Sequence, residues 1–174
     1  MPFTPFHFGP GYLATEISPP RWFSFYVFAF SQVVIDCETL LNILNGAPRL
    51  HTFFHTFAGS LVAGTLTVLL YRPVYRCIDL PLKAVPPLKI KLARWRLWDS
   101  SIPSWRTSVF TAWIGAWSHV LFDAVDHSDL RPFAPWSEAN PLHALVSSGN
   151  IYLAFFLCGV AALFSRFLRT RTAG

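Results

Sequence analysis

Ser118-His119-Val120-Leu121-Phe122-Asp123 sits near the end of a mostly apolar run from Arg106 to Asp126. Helical geometry puts His119 and Asp123 on one face, one turn apart. Both groups are costly inside a bilayer and need partners there. The run is about as long as the roughly 20 residues that cross a membrane. A membrane helix that carries an imidazole and a carboxylate towards one end is therefore the first reading.

Three other segments have similar character. They run from about Arg21 to Leu44, from about Leu50 to Tyr71 and from about Ala144 to Phe167. Pro19-Pro20 precedes the first, and Asn45-Gly46-Ala47-Pro48 makes a tight turn between the first two. Asn140-Pro141 has the pattern of an N-cap followed by proline at the first helical position, so it is expected to open the last segment. Phe8 to Ser18 is long enough for three helical turns and is expected to form a short re-entrant or surface helix. The predicted fold is all-α: a polytopic membrane bundle of about four membrane helices plus this short N-terminal helix, one integral membrane domain over residues 1–174.

Composition agrees. Of 174 residues, 53% are hydrophobic and only 13% charged, about half the charge of an average soluble domain. That excludes a disordered chain and an ordinary cytosolic enzyme. The net charge of +5 sits beside apolar runs and not on a face, which argues against nucleic acid as a partner. Eight of the 14 Lys and Arg fall between Arg72 and Arg106, in a Pro-rich linker, and Arg166, Arg169 and Arg171 follow the last segment. The positive-inside rule puts linker and C-terminus in the cytoplasm and the loops at 45–49 and 127–143 outside, in an inner membrane. Leu88 to Trp98 reads equally as a basic amphipathic stretch on the inner leaflet or as a solvated loop. The three cysteines show no ligand spacing and are expected to be free thiols. Met1 to Pro10 lacks a basic region and holds three prolines, so it is not expected to be a signal peptide.

The same topology brings chemistry to one depth. Asp36-Cys37-Glu38 lies in the outer half of the first segment. His51 and His55, at i and i+4, are expected to share a helix face just across the turn. His119 and Asp123 end the third segment, with Asp126 and His127 one turn further. Two such pairs plus Asp36 at one depth favour a metal site over isolated structural contacts. His7 joins them only if the short helix dips far enough into the bundle. Glu38 is about 200° from Asp36 around an ideal helix. His127 is equally a ligand or a loop residue, and His143 is expected at the surface. Gly59 with Ala63, and Ala112 with Ala116, form small-residue pairs that allow close helix approach.

These elements resemble the bacterial membrane-bound metal-dependent hydrolase family, small multi-spanning inner-membrane proteins distantly similar to zinc-dependent phospholipase C. The matching pieces are His7-Phe8-Gly9, Asp36-Cys37-Glu38, His51 to His55-Thr56, Ser118-His119 to Asp123, and the loop from Asp129 to Trp136. Thr52 and Thr56 stand where members often carry Arg and Ser, and Glu38 replaces a second Asp. The resemblance implies a hydrolase. His7, Asp36, His51, His55, His119 and Asp123 would hold divalent metal, and Asp36, Glu38 or Asp126 would serve as general base. Mixed imidazole and carboxylate ligands suit zinc, with manganese or iron as alternatives. The site's depth suggests an ester or phosphoester that is amphipathic or lipid-linked. The alternative is a non-enzymatic membrane protein that binds or conducts a metal ion or protons.

Overall fold

The computed structural model describes residues 7–19, 21–99 and 101–172. The stretch 1–6, including most of the segment tested above for a signal peptide, lies outside the described residues. The described residues form six helices and no strand: α1 Phe8–Ile17, α2 Phe25–Leu44, α3 Phe57–Lys83, α4 Pro86–Arg94, α5 Trp105–Asp126 and α6 Ser148–Thr172.

Hydroxyl caps set three of the starts. The Ser24, Thr56 and Ser104 side chains accept from the backbone N–H of Val27, Gly59 and Thr107, which would otherwise be orphaned at the helix ends. α2 ends as expected at Asn45-Gly46, where Gly46 takes φ 61°. That left-handed backbone suits glycine.

α5 forms the centre, packed between α2 and α3. Its alanines make this close approach feasible: Ala112, Ala116 and Ala124 have no exposed surface. Val27, Val68 and Tyr71 pack around Ala112, and Val34, Ile35 and Ala63 pack around Ala116. The expected small-residue faces are therefore used. Gly59 is as tightly placed, since a Cβ there would lie 1.7 Å from the Phe53 carbonyl oxygen. α6 stands aside from the centre and packs mainly on α1. Gly9 touches the α6 backbone, where an added Cβ would meet the Phe155 oxygen at 2.2 Å. Phe156, Val160, Phe164 and other large apolar side chains of α6 remain exposed.

Among the described residues, α2, α3 and α6 are long and apolar enough to cross a membrane. The expected fourth, α5, has the length but not the hydropathy. Its polar side chains point inward: Thr107, Ser108, Thr111, His119 and Asp123 are all buried. The opposite face of α5 is apolar and exposed, with Phe110, Trp113, Ile114, Trp117 and Leu121, so it is the inward polar face that lowers the hydropathy of the helix.

Three boundaries differ from expectation. The second segment does not begin near Leu50: residues 51–56 form a turn, and the helix starts at Phe57. It then continues to Lys83, through Pro73 and Pro81. The linker folds back and supports this extension. Tyr71 and Tyr75 hydroxyls donate to the Pro103 and Asp99 carbonyls, and Trp98 stacks on Tyr75 at 4.8 Å between centroids. Asp79 pairs with Lys89 at 2.6 Å and Lys83 at 3.2 Å. Finally, Asn140 does not cap α6, which begins at Ser148. Its amide donates instead to the Ala124 and His127 carbonyls and closes the C-terminal end of α5. Those carbonyls lack intrahelical partners, so a nearby amide competes well for them.

Candidate metal centre

α1 decides the geometry. It is about 15 Å long at 1.5 Å per residue, and its close glycine contact with α6 lets it enter the bundle as a half-length helix. His7 at its start is thereby buried against the end of α5. The Nε2 of His7 lies 3.4 Å from Asp123 Oδ1, and its Nδ1 lies 3.4 Å from His119 Nδ1. The short helix reaches far enough into the bundle for His7 to join the other residues.

The centre is a cage of four donor atoms. His119 Nε2 is 3.3 Å from Asp36 Oδ1 and 3.2 Å from Asp123 Oδ2. His55 Nε2 is 4.0 Å from Asp36 Oδ1 and 3.8 Å from Asp123 Oδ2. Metal–ligand bonds of about 2.1 Å in a tetrahedron put donors about 3.4 Å apart. These four distances bracket that value, and Asp36, His55 and His119 form one grouping able to hold an ion. All four residues are buried, His55 completely.

The surroundings set the tautomers. Gln32 Nε2 donates to the Gly115 carbonyl at 3.0 Å, so its Oε1 faces His119. That oxygen can only accept, so His119 Nδ1 donates to it at 2.9 Å. In the neutral ring the Nε2 of His119 is then the lone pair, facing two carboxylates. It is buried, with no hydrogen-bond partner among the described residues. At His55 the logic repeats. Glu38 Oε2 accepts from His55 Nδ1 at 3.3 Å, leaving Nε2 towards the cage. Carboxylates or carbonyls behind ligating histidines are the usual second layer of a metal site. Lone pairs and carboxylates at this separation repel unless a metal ion or a proton lies between them.

Asp123 faces two ways, with Oδ1 towards His7 and Oδ2 towards the cage. Further groups of potential ligands extend the cluster: His7 with His119 and Asp123, His51 with His55 and Asp123, and His51 with His127 and Asp129. The rings of His51 and His127 stack at 4.5 Å. Asp129 accepts from His51 Nδ1 at 3.0 Å. That contact holds the Asp129 carboxyl below its ordinary range, although burial opposes it. Burial is the first cause lowering His51 and favours its neutral, ligating form.

Every residue expected as a metal ligand comes together, although not always by the expected route. His51 and His55 do not share a helix face. The turn that carries them is tied to α2, where Glu38 accepts from the Phe54 N–H at 2.9 Å and Asn42 donates to the Leu50 carbonyl at 2.9 Å. The two rings still approach to 4.8 Å. Of the expected bases, Asp36 lines the cage. Glu38 is turned to His55 and Phe54, which matches its opposite side of α2. Asp126 is turned to α6, accepting from the Tyr152 hydroxyl at 2.7 Å. Sequence reasoning missed Gln32 and Asp129 as partners of the histidines. Gln32 carried a signal, since an amide within an apolar segment requires a partner.

Beside His51 a groove of about 290 Å³ opens, lined by Arg49, Thr52, Arg131 and Glu138 among others. It brings the lone arginines of two loops to the edge of the histidine cluster.

Fold and site together define a class: an all-helical protein with three helices able to cross a membrane and buried His and Asp groups able to hold a metal ion. No protein-family model, curated protein or solved structure matches the chain.

Proposed function

We propose that this protein is a membrane-embedded, metal-dependent hydrolase of an ester or phosphoester carried by an amphipathic or lipid-linked molecule. It would lie in an inner membrane, with α5 as a fourth spanning helix, the linker cytoplasmic and the site in the opposite half. One observation carries the reading: the buried Nε2 of His119, without a hydrogen-bond partner among the described residues, is faced by Asp36 and Asp123 while Gln32 holds the other ring nitrogen. That arrangement needs a positive charge between its members, which a metal ion or a proton supplies.

His55, His119, Asp36 and Asp123 would hold the ion, which is zinc in the simplest case and manganese or iron otherwise. His7 and His51 would complete that ion or hold a second one, with Asp123 in reach of both. A bound divalent metal lowers the pKa of its water to about 7 and polarises the scissile bond. Of the three candidate bases only Asp36 lies at the cage, and it would be free to accept a proton where His7 or His51 takes its place as a ligand. Glu38 orients His55. Arg49 in the neighbouring groove suits a phosphoester, because guanidinium pairs with phosphate through two parallel hydrogen bonds; Arg131 there is already paired with Glu138. The resemblance of the His and Asp elements to membrane-bound metal-dependent hydrolases supports the same reaction class.

The test is elemental mass spectrometry on detergent-purified wild type beside His55→Ala and His119→Ala, followed by a screen of aryl esters and phosphoesters. Stoichiometric metal in wild type, lost from both folded variants, together with hydrolysis that follows the metal, is the expected result. Wild type that takes up neither zinc, manganese nor iron overturns the reading. Metal bound without turnover of any ester favours the binding or conducting alternative.

A further inference from the structure

The end of the bundle opposite the histidines holds a second cavity, of about 590 Å³, between the end of α1, the turn after α4 and the end of α6. Its lining includes Glu16, Ser18, Arg96, Asp99, Arg166 and Arg169. Glu16 is its unusual member. It is 1% exposed, yet both carboxylate oxygens lack a hydrogen-bond partner among the described residues. A buried carboxylate left this way is strongly unfavourable. The nearest cations stop short of it, with Arg169 Nη1 at 3.8 Å and Arg96 Nη1 at 4.0 Å.

The arginines are held by backbone carbonyls. Arg169 donates to the Glu16 carbonyl at 3.0 Å and Arg96 to the Ser18 carbonyl at 3.4 Å. Arg166 donates to the Arg94 carbonyl. Arg96 takes φ 56°, uncommon for a residue other than glycine, where the chain turns from α4 towards α1. Asp99 already accepts from the Ser24 hydroxyl at 2.6 Å. Two pinned guanidiniums therefore lie within 4.0 Å of a carboxylate that accepts no hydrogen bond among the described residues, and a third, Arg166, lines the same cavity. A phosphate alone would satisfy the arginines and aggravate Glu16, because it brings only acceptors. The complementary ligand carries an anion and a donor cation close together.

We propose that this cavity binds a phosphoethanolamine group, its ammonium on Glu16 and its phosphate among Arg96, Arg166 and Arg169. Two carbons separate the two charges of that group, which suits a cavity where both receptors lie side by side. The source is either the headgroup of phosphatidylethanolamine or the free phosphomonoester. The site is separate from the histidine cluster and does not depend on its function.

Native mass spectrometry of the detergent-purified full chain tests this, with dihexanoyl-phosphatidylethanolamine and dihexanoyl-phosphatidylglycerol as probes. Wild type should prefer the ethanolamine lipid by about tenfold, the order expected for one charge-assisted contact. Glu16→Gln should abolish the preference, and Arg96→Gln should weaken both lipids alike. Competition by soluble O-phosphoethanolamine identifies the free phosphomonoester as sufficient, and failure to compete identifies the lipid. If Glu16→Gln does not fold, the wild-type preference and Arg96→Gln still decide. Equal binding of the two lipids by wild type, or binding of neither, overturns the proposal.

Discussion

Replacing Glu38 by glutamine probes the metal centre without touching the cage. Glu38 Oε2 lies 3.3 Å from His55 Nδ1, while its carboxylate accepts from the Phe54 N–H at 2.9–3.0 Å. Glutamine retains the shape and one acceptor but removes the charge. It can satisfy Phe54 or His55 well, and not both. His55 then loses the anion that fixes its tautomer and raises its basicity. Loss of such a partner lowers metal affinity by about 10–100-fold, or about 1.4–2.8 kcal/mol. The metal-free protein should lose only about 1 kcal/mol, the size of one hydrogen bond weakened but still made. Competition with a chromophoric chelator measures the first quantity, and thermal unfolding of the metal-free form measures the second. Glu38→Ala is the informative comparison. It orphans the Phe54 N–H and should cost about 1–3 kcal/mol of stability as well. Metal affinity within twofold of wild type in Glu38→Gln, with His55→Ala metal-free, would refute the orienting role.

Three further outcomes follow from the geometry. Gly9→Ala should destabilise by about 1–3 kcal/mol, as overpacking does, because the new Cβ meets the Phe155 backbone and no side chain can yield; the same shift withdraws His7, so metal stoichiometry should fall with the melting temperature. Adding the metal at about 100 times its Kd stabilises by about 2.7 kcal/mol, so a chelator should lower the melting temperature by about 5–10 °C in a chain of this size, and no change would argue that nothing binds the folded state. Asp99→Asn should act with a defined pH dependence. Burial pushes the Asp99 carboxyl from 3.8 up to about 6, against the Ser24 hydrogen bond that lowers it. A raised carboxylate contributes stability below its unfolded value and loses it as pH rises through about 6. The penalty at pH 8 is on the order of 3 kcal/mol at about 1.4 kcal/mol per unit, so the variant should unfold at higher temperature than wild type at pH 8 and at the same temperature near pH 4; an equal difference at both would refute burial as the cause.

The sequence by itself determined the helical class, the bounds of α1 and α5 and the candidate ligand residues. Apolar runs of spanning length are costly to leave in water, and the caps at Ser24 and Ser104 act within one turn, so both are local facts. The candidate ligands were legible for a related reason: ionisable groups inside apolar segments are unfavourable alone, and His55, Asp36, His119 and Asp123 were conspicuous as such. Tertiary structure decided what depends on neighbours. His51 and His55 looked helical by spacing, but Glu38 and Asn42 hold them in a turn, a competition invisible to a local pattern. Asn140 had the form of a helix cap, yet the open carbonyls of α5 reached it first. Gln32 acquired its role only when Gly115 fixed its amide and so the tautomer of His119. His7 joined the cluster because Gly9 lets α1 lie against the backbone of α6. In each case the deciding partner is remote in sequence, and a hydrogen bond or a close contact between distant segments leaves no period or spacing in the chain to be read.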